Sequence, residues 1–217
     1  MSGSATGAGA APGVSEMLDR LAVRELIDDW TVLRDARLWE RWYRVWHDDG
    51  VIFTTWGGRT TPQQFAAKAD AGYAQGDRML HSNGGTSVEL AGDRAVSMSK
   101  MRIMQVGPVE GVLCEVCCIG RNYDLCERRD GRWGIVLRQP IYERDMAFVA
   151  DPATVTHFER EKLEQFPDGY ARLAYMQAEL GYKIRQDMPL LEGPQLDALY
   201  EQGRVWLAGG ELSWGLE

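Results

Sequence analysis

The stretch "YDLCERRDGRWGIVLR", Tyr123–Arg138, decides the fold. Asp130-Gly131 sits between two strand-like runs, which is a strong signal for a tight β-hairpin. Working outward, the same period-two pattern predicts strands over about His81–Leu90, Ala95–Val106, Gly111–Arg128 and Arg132–Tyr142. The turns between them come from "AGDR", "GPVEG" and "RDGR". This half of the chain reads as an antiparallel meander.

Upstream the period changes to that of helices. Ser15–Leu33 reads as an amphipathic helix with Ser15 as N-cap and Leu26, Trp30 and Leu33 on one stripe. A second short helix is expected over "LWERWYRVWHDD", Leu38–Asp49, with Trp39, Trp42 and Trp46 aligned, followed by a strand in "GVIFTTWGG". A third helix runs from Pro62, in its first turn, to about Tyr73. Helices followed by a meander make an α+β domain over residues 15–150, preceded by a small, polar leader over 1–14 that is expected to be disordered. Residues 151–217 read as a helical extension: Val155–Phe166, Asp168–Tyr182 with Asp168 as N-cap, and Pro194–Leu207. The stripe Leu196, Leu199, Tyr200, Gly203 and Leu207 on the last helix must cover the open end of the sheet or a neighbouring subunit.

Composition narrows the function. The 217 residues are 45% hydrophobic and 26% charged, as in an average globular protein. A net charge of −8 disfavours nucleic-acid backbones and anionic lipid as partners. No apolar run approaches the ~20 residues of a membrane span, and the N-terminus lacks the pattern of a signal peptide. A cytoplasmic location is expected. The four cysteines, Cys114, Cys117, Cys118 and Cys126, lie in a strand-like run, so Cys117 faces away from the other three. A zinc knuckle needs a turn between its thiolates, so these read as buried, reduced, apolar side chains, and no metal is expected.

Three stretches carry a family resemblance: "LAVRELIDDWTVLRDARLWERWYRVWHDDGVIF", "MLHSNGGTSVEL" and "YDLCERRDGRWGIVLR". Together they resemble the SnoaL-like branch of the nuclear transport factor 2-like superfamily, to which scytalone dehydratase and hexachlorocyclohexane dehydrochlorinase are similar. The resemblance covers about residues 16–150 and leaves the extension unexplained. It implies a cone-shaped fold, with a curved antiparallel sheet closed by the N-terminal helices around an apolar pocket. It also implies elimination chemistry without a cofactor. By position it places an orienting carboxylate on Asp35, the proton-transferring imidazole on His81 and a pocket cation on Arg138.

Chemistry agrees with that transfer. Histidine titrates near neutrality, and a carboxylate on one ring nitrogen fixes the other as the base. Arg138 is permanently cationic and suits a developing phenolate or alkoxide, although a strand arginine can also be a surface charge. Of the other histidines, His47 reads as a structural residue at a helix end and His157 as an exposed one. Strand parity puts Asn83 on the face of His81, and puts Asn122 on the face of Cys118, as further substrate contacts. Lys100 is ambiguous in parity and is a candidate second cation. Tyr43 and Trp56 are core by default, but eight Trp and eight Tyr suggest a pocket for flat aromatic ligands.

No phosphate loop, metal-ligand cluster or nucleophile elbow is present in the sequence. The expected function is therefore a cofactor-independent lyase acting on a hydroxylated aromatic compound. It resembles most the lyases that release formaldehyde from lignin-derived diarylpropane diols through a quinone methide, giving a stilbene. Alternatives are a simple dehydratase, a polyketide cyclase, or a non-catalytic subunit like the β-subunit of ring-hydroxylating dioxygenases. A small aromatic substrate and a homo-oligomer, dimer or trimer, are expected.

Overall fold

A computed structural model describes residues 13–212. The expected leader falls mostly on residues 1–12, outside the described residues. Gly13 and Val14 are the N-cap and first residue of helix α1, Val14–Asp35, so Ser15 is already helical. Val23, Ile27, Trp30 and Arg34 recur at three- and four-residue spacing and are all buried, which fixes the inward face of α1. The helix stops at Asp35, and Arg37 takes φ 54° as the chain turns.

The second helix is shorter than expected. α2 is Trp39–Trp42, a single 3-10 turn covers Tyr43–Val45, and strand β1 begins at Trp46 and runs to Thr54. Pairing accounts for the early switch, because Trp46 lies opposite Ile135 of a parallel neighbour. His47 is therefore a strand residue. It is buried, with Nε2 2.9 Å from the carbonyl of Glu127 and Nδ1 receiving Arg132 Nη2 at 3.1 Å. Its role is structural, but no helix dipole is involved.

A short strand β2, Gly58–Thr60, folds back on β1. α3, Pro62–Ala74, starts in a capping box between Thr61 and Gln64. The meander follows as β3 (Arg78–Ala91), β4 (Arg94–Val109), β5 (Val112–Arg129) and β6 (Arg132–Val149). The Asp130-Gly131 turn has φ values of 52° and 78°, as the sequence requires of a tight hairpin.

The six strands are ordered β2-β1-β6-β5-β4-β3 in one open sheet. Along β5, the partner on β6 skips one residue between Ile119 and Gly120 and again between Leu125 and Cys126. Such bulges bend and twist a sheet, and here they curve it around α1. The fold is α+β, with a curved sheet and N-terminal helices as expected.

The register fixes which residues share a face. His81, Ile103 and Cys118 lie opposite one another across three strands, as do Thr86, Ser99 and Asn122. This inner face takes α1 and α3 at one end. At the other end it takes the extension, where Met176 packs on Gly107 and the Cys118 thiol meets the carbonyl of Gly169 at 3.6 Å. The outer face takes α6, Pro194–Leu207, with Tyr200 and Gly203 against Tyr123.

Cys114, Cys118 and Cys126 are buried and Cys117 is only partly covered, in keeping with the alternation of the strand. Among the described residues no group of His, Cys, Asp and Glu side chains is placed to hold a metal ion. No helix among them is long and apolar enough to cross a membrane.

The extension departs most from its sequence pattern. Of the helix expected over Val155–Phe166 only α4, Arg160–Leu163, forms, and Val155 is 88% exposed. α5 is Ala171–Glu179, with Tyr170 rather than Asp168 at its N-cap. Its first turn is anchored by Asp145, which accepts from the Leu173 backbone N–H at 2.8 Å. α6 forms as expected.

Candidate active site

Asp35, at the end of α1, and His81, near the start of β3, meet through two hydrogen bonds. The His81 backbone N–H donates to Asp35 Oδ2 at 2.6 Å, and His81 Nδ1 lies 2.8 Å from Asp35 Oδ1. A carboxylate accepts, so Nδ1 carries the proton and Nε2 keeps its lone pair. No protein group among the described residues bonds to Nε2. The ring edge rests on Trp30, with centroids 5.6 Å apart.

Burial is the largest single influence on both groups, but it decides the outcome only for His81. Desolvation, joined by the positive charge of Arg34 and opposed by Asp35, pulls the His81 pKa down to about 4. Burial pushes Asp35 up, but its hydrogen bonds and charge pairing with His81 outweigh that, and its pKa is lowered. The pair at neutral pH is thus a carboxylate beside a neutral imidazole.

Arg34 is a site residue the sequence reading missed. It is 8% exposed and donates from Nη1 to Asp35 Oδ1 at 3.0 Å and to the Met79 carbonyl at 3.3 Å. A charged residue in register with Val23, Ile27 and Trp30 on an apolar stripe was the signal that could have found it.

Arg138 does face inward, but not as a free cation. It is 1% exposed and forms a two-pronged pair with Asp124, Nε to Oδ1 at 2.6 Å and Nη2 to Oδ2 at 3.1 Å. Its guanidinium lies 4.1 Å from the centroid of Trp30. Nη1 alone has no partner, so what Arg138 can offer is one NH2 group backed by a neutralised pair. Asp124 shares the inward parity of Asn122, and that parity was its signal in the sequence.

His81, Arg138, Asn122 and Trp56 line one inner cavity, together with Trp30, Phe65 and Tyr142 and with Leu173 and Gln177 of α5. Its volume is about 30 Å³, space for about one water molecule. An outer cleft of about 350 Å³ adjoins it, and Arg34, Trp56 and Met79 belong to both walls. That is the size of a small-ligand site.

The remaining expected contacts lie elsewhere. Lys100 is exposed on the other face of β4, paired with Arg121, because the strand starts at Arg94 and sets its parity outward. Tyr43 packs on Trp42 in the helical layer. Asn83 spends its amide on the Ile27 carbonyl at 2.8 Å, tying α1 to β3. Cys118 is fully buried beside Gly169, and burial raises its pKa far above the ordinary thiol value. None of these four lines the inner cavity or the outer cleft.

Comparison with known proteins places this geometry. The SnoaL-like domain family matches residues 15–139. A PEP2-like protein of Fusarium vanettenii is 35% identical over 206 residues, which cover 90% of this chain and 88% of that protein. Among solved structures, a type 2 hexachlorocyclohexane dehydrochlorinase (LinA) is similar with a TM-score of 0.56 and 18% identity, over 67% of this chain and 96% of its own. A protein assigned as a scytalone dehydratase from Novosphingobium aromaticivorans reaches a TM-score of 0.50 at 14% identity, over 66% and 98%. At these identities the structural likeness speaks for the fold.

Proposed function

The chain belongs to the SnoaL-like domain family, and from that premise we propose that it is a cofactor-independent lyase that works by acid–base elimination on a hydroxylated aromatic compound. The observation that carries this reading is the His81 ring, clamped through Nδ1 by Asp35 and lining a small, largely apolar cavity, with no protein group among the described residues bonded to Nε2. The similar dehydratase and dehydrochlorinase folds support the reaction class.

The low pKa of His81 sets the order of proton transfers. A neutral imidazole begins as a base, so protonation of the leaving hydroxyl cannot be its first act. His81 Nε2 takes a proton from the substrate, the freed electron pair forms the new double bond, and the C–O bond breaks. The imidazolium, stabilised by Asp35, returns the proton to the departing oxygen and water leaves. Arg138 Nη1 and the Asn122 amide are among the donors available to developing negative charge, beside the unpartnered Arg34 Nε and Trp30 Nε1.

The inner cavity has space for the reacting group but not for a ring. The aromatic body belongs in the outer cleft, among Trp39, Trp56, Tyr73 and Tyr182. The cleft has room for a substrate that would take a second, longer route. A phenolic 1,2-diarylpropane-1,3-diol would lose water to a quinone methide. Proton removal from its terminal hydroxymethyl group would then expel formaldehyde as the ring regains aromaticity, leaving a stilbene. A non-catalytic subunit has no use for a desolvated, oriented histidine, which is why the catalytic reading is preferred.

The test is product analysis with that diol. A stilbene with one equivalent of formaldehyde, and no reaction once the phenol is methylated, establishes the longer route. A product that keeps all its carbons reduces the activity to dehydration. A protein inert towards phenolic carbinols as a class returns it to the non-catalytic reading.

A further inference from the structure

The outer cleft carries a charge pattern that the elimination reading does not use. The protein as a whole is acidic, at −8, yet four cations line this cleft, Arg34, Arg37, Lys68 and Arg78, against the carboxylates of Asp35 and Asp77. Arg34 is taken by Asp35, and Arg37 pairs loosely with Asp70 at 3.6 Å. Lys68 and Arg78 have no carboxylate partner among the described residues. Lys68 donates to the Gly57 carbonyl at 3.0 Å, and Arg78 donates to the carbonyls of Tyr73 and Asp77 at 3.1 and 2.8 Å.

A second observation is independent of charge. Gln105 lines the same cleft, is 0% exposed, and its Nε2 donor has no partner. Its orientation is imposed from the extension. The Thr55 hydroxyl donates to Gln177 Oε1 at 2.7 Å, and Gln177 Nε2 donates to Gln105 Oε1 at 2.9 Å. The relay runs one way and ends in a buried N–H. A buried donor without an acceptor is costly, and structures that keep one usually supply its partner from a ligand or water.

We propose that the outer cleft takes the carboxylate of an aromatic acid, with Gln105 Nε2 as its buried donor and Lys68 and Arg78 as its counter-charges. This rests on the cleft being the antechamber of the His81 cavity, and it names the substrate class as aryl acids with the reacting carbinol beyond the ring. The extension then has a function at the site, because Gln177 on α5 aims the Gln105 amide.

The test is calorimetric binding of vanillate and of its methyl ester to the full chain at low salt. The acid should bind about tenfold more tightly, a difference of ~1.4 kcal/mol, and the preference should shrink as salt is added. Lys68→Met with Arg78→Met, both at exposed positions, should abolish the preference, and Gln105→Met should weaken the acid more than the ester. Ester binding equal to the acid, or no binding of the acid, overturns the proposal. The His81→Ala variant separates the two readings: it should bind vanillate unchanged. If it binds the acid selectively and still turns over a phenolic carbinol, the cleft assignment stands and the base assignment falls.

Discussion

Asp35 grips His81 at two points, accepting from the backbone N–H with one carboxylate oxygen and from ring Nδ1 with the other, at 2.6 and 2.8 Å. The first bond fixes where the strand enters beside α1, and the second fixes the tautomer of the ring. The same carboxylate therefore couples a packing constraint to the state of a base. The grip is itself held by Arg34 from the preceding position of the helix.

Substitution of either partner should therefore separate chemistry from folding. Asp35→Asn and His81→Ala should each lower kcat/KM by about 10²–10⁴-fold, the usual worth of a positioned general base. Each should move the melting temperature by only a few degrees, at ~2–4 °C per kcal/mol for a chain of this size. Steady-state kinetics beside thermal melts checks this. Full activity in His81→Ala removes the mechanism, and collapse of both variants would make the pair structural.

The pH dependence follows from the direction of the His81 shift. Its folded pKa of about 4 lies below the ordinary value of 6.5. Between these values the unfolded chain binds the proton and the folded chain does not, so stability falls as pH falls through that window. Activity should hold a plateau from neutrality down to about pH 5 and fail as the pair protonates near 4, the apparent value belonging to the pair. Denaturant melts from pH 7 to 4 should show the loss in the natural chain and a flatter profile in His81→Ala. Equal slopes would contradict the assignment.

The hairpin, the meander and α3 were legible because Asp130-Gly131, the alternation of the strands and Pro62 are local signals. Trp46 was not, since its tryptophan stripe suits a helix and only the pairing with Ile135 makes it a strand. That Asp35 and His81 meet was legible through a family pattern. The face of Lys100 stayed open because the first residue of β4 decides it. Gln105 and Gln177 were invisible, because the hydrogen bond between them joins residues 72 positions apart.

The Arg138–Asp124 pair predicts a contrast between single and double variants. Arg138→Met leaves a fully buried carboxylate without its cation, at a cost of about 3–5 kcal/mol. Asp124→Leu with Arg138→Met removes both charges, so much of the stability should return while activity does not. Urea melts and initial rates on the same proteins decide it. Recovery of activity in the double variant would show that Arg138 only fills space.

The extension should be needed for more than solubility. Leu173 lines the inner cavity, and Trp206 is 4% exposed with its N–H 3.2 Å from the Cys126 carbonyl. Truncation after Pro152 should expose both faces of the sheet and yield aggregated protein. Leu173→Ala should cost about 2–5 kcal/mol and shift preference towards bulkier reacting groups. A truncated chain with unchanged kinetics would contradict the placement of α5 at the site.

The central claim is that His81 is a neutral base whose free nitrogen opens on the cavity. The ¹⁵N chemical shifts of the His81 ring, assigned by comparison with His81→Ala, read this without any substrate. The account predicts a protonated Nδ1 and an unprotonated Nε2 throughout pH 5 to 8. A ring found as imidazolium at pH 7, or carrying its proton on Nε2, would contradict it.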